Sequence, residues 1–279
     1  MVEGADGRSP TERAGGLTEF YEERHRCFLN TKKGLQQIWH AFELLDTVWH
    51  RELDDLSTLT SSDRIVPVSL FHDAGVKIRL VVELGFSRCL PEACDLLRGA
   101  IESAAYGRFL AAEPHLARIW SGRNIDEQHR KEFMKHFVWG ATPEERKEKR
   151  DKKGLAVFAK GYGLDQLRPL WKRYSQYGAH TSSGGVATRL TGHSGAGARG
   201  IEFRYLDPPR DLVEAVLCDA LVCCRVLEDV FYSAFEARLS LDYDLERLRK
   251  DMKAAVSRVV SWLRNRYAAV LQEARPADR

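Results

Sequence analysis

Apolar residues recur three and four positions apart along most of the chain, a spacing that predicts helices. Between Thr18 and Leu53 the run includes Phe20, Tyr21, Phe28, Leu35, Ile38, Phe42, Leu45 and Val48, with Glu, Arg and Lys between them. Gly34 interrupts it, so it reads as one long helix or two shorter ones. Leu56 to Pro67, rich in Ser, Thr and Asp and ending in proline, reads as a connection. A second pattern covers Val68 to Phe86 and a third Pro91 to Ala112. The proline of the third suits a first helical turn, and its alanines allow neighbouring helices to approach closely. Arg118 to Trp139 continues as helix with a charged face. Thr142-Pro143-Glu144-Glu145 has the composition of a helix start, and the interleaved charges that follow to Lys153 read as a solvated helix.

Gly154, Gly161 and Gly163 break the next stretch, and Pro169 opens another helix. Beyond it, alternating residues on either side of a Gly-rich loop predict a hairpin. Leu212 to Phe231 carries the pattern of a buried helix. Leu241, Leu245, Leu248, Met252, Ala255, Val259 and Trp262 then repeat at heptad-like spacing, with arginines and lysines on the other positions. This last helix either packs on the bundle or pairs with a second copy, which makes a homodimer through helices one reading. The fold class expected is all-α, a multi-helix bundle with long helices and a small β-hairpin insert near residues 186–206. Residues 1–15, made of turn formers with few apolar anchors, read as a disordered lead-in; residues 16–275 read as a single helical-bundle domain.

Composition narrows the functional classes. A net charge of +3, from 43 basic against 40 acidic residues, is too balanced to indicate nucleic acid by itself, so RNA as a partner would need a local patch. The six cysteines show no CxxC pair, which suggests reduced, buried thiols and neither a zinc site nor a disulfide framework. Every hydrophobic run is interrupted before the roughly 18 uncharged residues that a membrane helix needs. The acidic start lacks the shape of a signal peptide, so the expected compartment is the cytoplasm, with no membrane partner. His72, His129 and His136 are isolated on charged helices, and Gly192 to Gly200 lacks the GxxxxGK[ST] order of a phosphate loop. No metal or other cofactor is therefore expected.

The stretch Arg173 to His180 stands out. On a helix, Arg173 and His180 are two turns apart and share a face with Tyr177. An imidazole that withdraws a 2′-hydroxyl proton and a guanidinium that holds the phosphate suffice for RNA cleavage without metal. The plainer alternative makes His180 a cation near a helix C-terminus. Ser175 lies beside this stripe without a Gly-x-Ser-x-Gly elbow, so its hydroxyl reads as bonded to a carbonyl of its own helix. On the third helix Asp95, Arg98, Glu102 and Tyr106 form a polar stripe. Arg98 and Glu102 either pair with each other, or Glu102 reaches Arg173 or His180 from the neighbouring helix.

The Arg98-x-x-x-Glu102 helix and the later Tyr174-Ser175-x-x-x-x-His180 resemble segments shared by a group of uncharacterised bacterial helical proteins, over roughly residues 65–235. More loosely, Arg173 to His180 is similar to the Arg-x(4 to 6)-His signature of the HEPN superfamily. Those proteins are helical bundles, often dimeric, found in toxin-antitoxin and phage-defence systems, and many are metal-independent ribonucleases. The resemblance implies a phosphate-binding Arg173 and an acid/base His180; the reading built on it has Glu102 or Tyr177 orient them. Tyr174 stands where that superfamily usually has a small polar or acidic residue. The rival expectation is a non-enzymatic helical scaffold or ligand-sensing module whose polar stripe is structural.

Overall fold

In the computed structural model, the described residues are 16–56, 62–137, 164–177, 190–195, 198–203, 206, 208–239 and 243–273. The segments read as a disordered lead-in (1–15) and as a charged helix (144–153) lie outside them. Nine α-helices are formed by the described residues: α1 (Leu17–Gly34), α2 (Gln36–Asp55), α3 (Ser62–Phe86), α4 (Leu90–Ala112), α5 (Pro114–Gly122), α6 (Glu127–Phe137), α7 (Arg168–Tyr177), α8 (Arg210–Phe235) and α9 (Tyr243–Glu273). The all-helical architecture agrees with the periodicity.

Three boundaries differ from the sequence reading. The Thr18–Leu53 run is two helices, broken at Leu35, whose backbone leaves the helical region. The second helix starts at Ser62, ahead of Pro67, so that proline lies inside α3 instead of closing a connection. The expected helix from Arg118 to Trp139 is split after Gly122. Asp126 caps the new start by accepting from the His129 backbone N–H at 2.9 Å, satisfying a donor that the first turn otherwise leaves unpaired.

The α3–α4 pair is the densest helix contact, and small residues make it so. A β-carbon on Gly107 would lie 2.9 Å from the Phe71 ring and 3.2 Å from the Pro67 carbonyl, so α4 can approach α3 this closely only with glycine there. Lys77 of α3 donates to Ser103 of α4 at 2.8 Å, and Ser103 donates to Asp73 at 2.6 Å, tying the two helices on their polar side. The turn between them is a Schellman motif. Cys89 N–H bonds the Leu84 carbonyl at 2.8 Å, Arg88 N–H bonds Gly85 at 3.1 Å, and Arg88 takes the left-handed conformation with φ of 65°. Glycine usually fills that position. Here Arg88 Nε reaches Thr31 Oγ1 of α1 at 3.4 Å, which anchors the turn to a third helix.

The core is one continuous cluster from Leu35, at the break between α1 and α2, to Leu263 on α9. Its aromatic centre joins three helices: Trp49 stacks on Phe231 at 5.5 Å, and Phe71 meets the Phe231 ring edge-on at 5.1 Å. Phe71 and Phe231 are sealed from solvent; burying each side chain stabilises the fold by about 2 to 3 kcal/mol. α8 lies in the middle, touching α2, α3, α4 and α9.

Candidate functional site

The residues expected to carry chemistry fall into two separate networks on α7 and its neighbours. Pro169 near the start of α7 removes a backbone donor where no acceptor is needed, and the helix then projects Trp171 and Ser175 one way and Arg173 and Tyr174 another. Glu102 of α4 accepts from Arg98 Nε at 3.0 Å, one turn away, and from Trp171 Nε1 at 2.9 Å. The expected Arg98–Glu102 pair is therefore present. The α7 residue that Glu102 meets is Trp171 and not Arg173. Tyr106, further along the stripe, packs its ring on Trp120 at 4.9 Å, and burial together with the Glu102 charge raises its phenol pKa.

Arg173 and Tyr174 both bind Asp219 of α8. Arg173 Nη1 lies 2.5 Å from Asp219 Oδ2, and the Tyr174 hydroxyl donates to the same oxygen at 2.7 Å. Tyr174 is 3% exposed; burial, then the Asp219 charge, pushes its phenol far above the usual range, so it stays a proton donor. Arg173 is 54% exposed. Ser175 Oγ donates to the Trp171 carbonyl at 2.7 Å, the intrahelical bond expected of it. Tyr177 closes α7, and its side chain and His180 lie outside the described residues.

Sequence reasoning missed a second set of groups. Glu52 of α2 and Glu228 of α8 are both 0% exposed, and Arg249 of α9 reaches each, Nε lying 2.7 Å from Glu228 Oε1 and 3.5 Å from Glu52 Oε1. The Arg249 guanidinium carbon sits 3.3 Å from the Tyr232 ring centroid, so the cation is also held by a π face. One arginine cannot offset two buried carboxylates. Burial, then the Glu228 charge, raises the Glu52 pKa to about 9, and burial raises that of Glu228 too. Glu52 is thus held protonated at neutral pH. Glu214, likewise sealed, accepts from Arg210 at 2.8 Å and faces Arg266 of α9 at 3.2 Å. The signal was legible in principle: Glu52, Glu214 and Glu228 occupy core-facing positions in helices otherwise apolar on that side.

The cysteines among these helices are free thiols, and burial raises the pKa of Cys94 to about 12 and of Cys89 and Cys218 to about 11. They are packing groups, not nucleophiles. Among the described residues, no group of three or more His, Cys, Asp or Glu could hold a metal ion, and no helix is long and apolar enough to cross a membrane.

A cavity of about 280 Å³ opens between α1, α2 and α3, with α8 contributing to its lining. Phe28, Trp39, Phe42, Trp49, Ile78 and Val82 supply its walls. Trp49 is 7% exposed, and its indole N–H is buried without a hydrogen-bond acceptor. That N–H abuts Gly75, where a β-carbon would lie 2.6 Å from Nε1. A second recess of about 350 Å³ shares Trp49, Gly75 and Arg79 with the first. Charged groups line the first cavity beside the aromatics: Asp46 accepts from Arg79 Nε at 2.7 Å, Glu83 pairs with Arg24, and Glu43 accepts from Trp39 Nε1 at 2.6 Å. Neither cavity is lined by Arg98, Glu102, Arg173, Tyr174 or Ser175. Compared with known family models, curated proteins and solved structures, the chain matches none.

Proposed function

We propose that this chain is a helical ligand-binding module, with the aromatic cavity between α1, α2 and α3 as its binding site. The observation that carries the reading is the cavity itself: concave, mostly apolar, with a few polar groups and a buried unpaired donor at Trp49. Most small-molecule sites combine these traits, whereas the Arg98–Glu102–Trp171 and Arg173–Asp219–Tyr174 networks bond their members to one another. In this reading those networks set helix register. The insert expected near 186–206 belongs to the same proposal, with Leu190–Gly195 and Ala198–Phe203 as antiparallel strands. Ligand-observed NMR with indole and naphthalene tests the reading. Binding that is lost when Val82→Trp fills the cavity, with the melting transition retained, supports it; absence of binding by the unaltered protein overturns it.

A second reading, a HEPN-like metal-independent ribonuclease acting in toxin or phage-defence roles, draws on the exposure of Arg173, whose guanidinium can leave Asp219 for a phosphate. Its test is RNA integrity on expression of the intact chain, alone and with Arg173→Ala or His180→Ala. Cleavage that both substitutions abolish supports it, and intact RNA throughout removes it.

A further inference from the structure

We infer that the ligand of the aromatic cavity is an organic cation, an ammonium group on an aromatic or aliphatic body. The inference rests on the ligand-binding reading above and adds the charge of the ligand. Three carboxylates and one guanidinium line the cavity, and their pairing is uneven. Asp46 is held by Arg79 and Glu83 by Arg24, so those charges are offset. Glu43 has a neutral indole donor, Trp39 Nε1 at 2.6 Å, and the His40 Nδ1 at 3.7 Å; among the described residues no lysine or arginine pairs with it. Its side chain is 53% exposed, which sets the carboxylate at the cavity mouth, while Trp49 and Cys224 form the buried floor.

The aromatic walls favour the same charge. Ring faces carry negative potential and attract ammonium groups, best of all at tryptophan. Trp39 already does so, because Lys32, which does not line the cavity, places its ammonium 3.8 Å from the indole centroid. A cation entering the mouth would meet the Glu43 carboxylate beside the Trp39 and Phe42 rings, and its apolar body would cover Ile78, Val82 and Trp49. An anionic ligand would meet the Glu43 carboxylate while the lining guanidinium, Arg79, is paired with Asp46, and a neutral one would leave Glu43 unused.

The experiment compares phenyltrimethylammonium with its neutral isostere tert-butylbenzene by tryptophan fluorescence and titration calorimetry, on the full chain and on Glu43→Gln. The glutamine keeps an acceptor for the Trp39 N–H and removes the charge. Expected is at least about tenfold tighter binding of the cation to the unaltered protein, with that preference reduced severalfold in Glu43→Gln. Equal binding of the two probes, or a preference for tert-butylbenzene, overturns the cation inference and leaves the cavity reading standing. Binding of neither overturns both. A preference that Glu43→Gln leaves unchanged also overturns the inference, since the charge would then come from elsewhere.

Discussion

Arg249 donates to Glu228 across 2.7 Å while facing Glu52 at 3.5 Å, so one guanidinium of α9 sits over two carboxylates that no solvent reaches. Removing one partner of such a group leaves a buried charge without compensation. Arg249→Met is expected to destabilise the fold by about 3 to 5 kcal/mol, seen as a large drop in the denaturation midpoint. A loss below about 1 kcal/mol would mean that Arg249 is not what balances the acids.

The raised pKa of Glu52 gives stability a pH dependence of defined sign. Glu52 titrates near 4.5 when unfolded and at about 9 when folded, so between these values the folded state binds more protons. Stability is therefore highest below pH 4.5 for this group and falls as pH rises toward 9, by up to about 1.4 kcal/mol per unit. Glu52→Gln, which stays neutral, should flatten that slope and exceed the unaltered protein in stability at pH 8. Urea denaturation from pH 5 to 9 checks it; parallel profiles for the two proteins would refute a protonated Glu52 in the fold.

Asp219 has two donors of unequal value. The Tyr174 bond is part-buried, with Tyr174 itself sealed, whereas the Arg173 side of the ion pair is half-exposed. Tyr174→Phe should cost about 1 to 2 kcal/mol, and Arg173→Ala under about 1 kcal/mol. Thermal melts of both variants read the order directly, and the reverse order would show that the ion pair dominates.

Gly75 is required by the indole it supports. A methyl group there would lie 2.6 Å from Trp49 Nε1, a rigid ring that is also stacked on Phe231. Gly75→Ala should destabilise by about 1 to 3 kcal/mol despite alanine's better helix propensity, and should shift the Trp49 emission. An unchanged melting temperature and spectrum would show that Trp49 is free to move.

Much of the fold was readable because burial follows local spacing. Ile38, Phe42, Leu45 and Val48 face the core as their periodicity predicts, and Ala100 and Ala104 mark the close contact of α4. The split at Gly122 does not show in the periodicity, because Asp126 continues the charged face that starts after Arg118 and only its bond to the His129 N–H reveals it as a cap. Among the site residues, the Arg98–Glu102 pair was legible as neighbours on one helix. The Glu102–Trp171 bond was not, since no local signal says that α7 lies against α4. Glu52, Glu214 and Glu228 are marked by their core-facing positions, but their partners are not, because Arg249 and Arg266 come from α9.

The arginine staples of α9 bear on how the bundle closes. Glu214 has a counter-charge on its own helix in Arg210, whereas Glu52 and Glu228 meet theirs, Arg249, only once α9 is in place. Burying Glu52 and Glu228 together without that guanidinium would leave both acids uncompensated, so the seam between α2 and α8 is costly to close before α9 docks. In the folded chain α9 thus acts as the latch on the seam between α2 and α8.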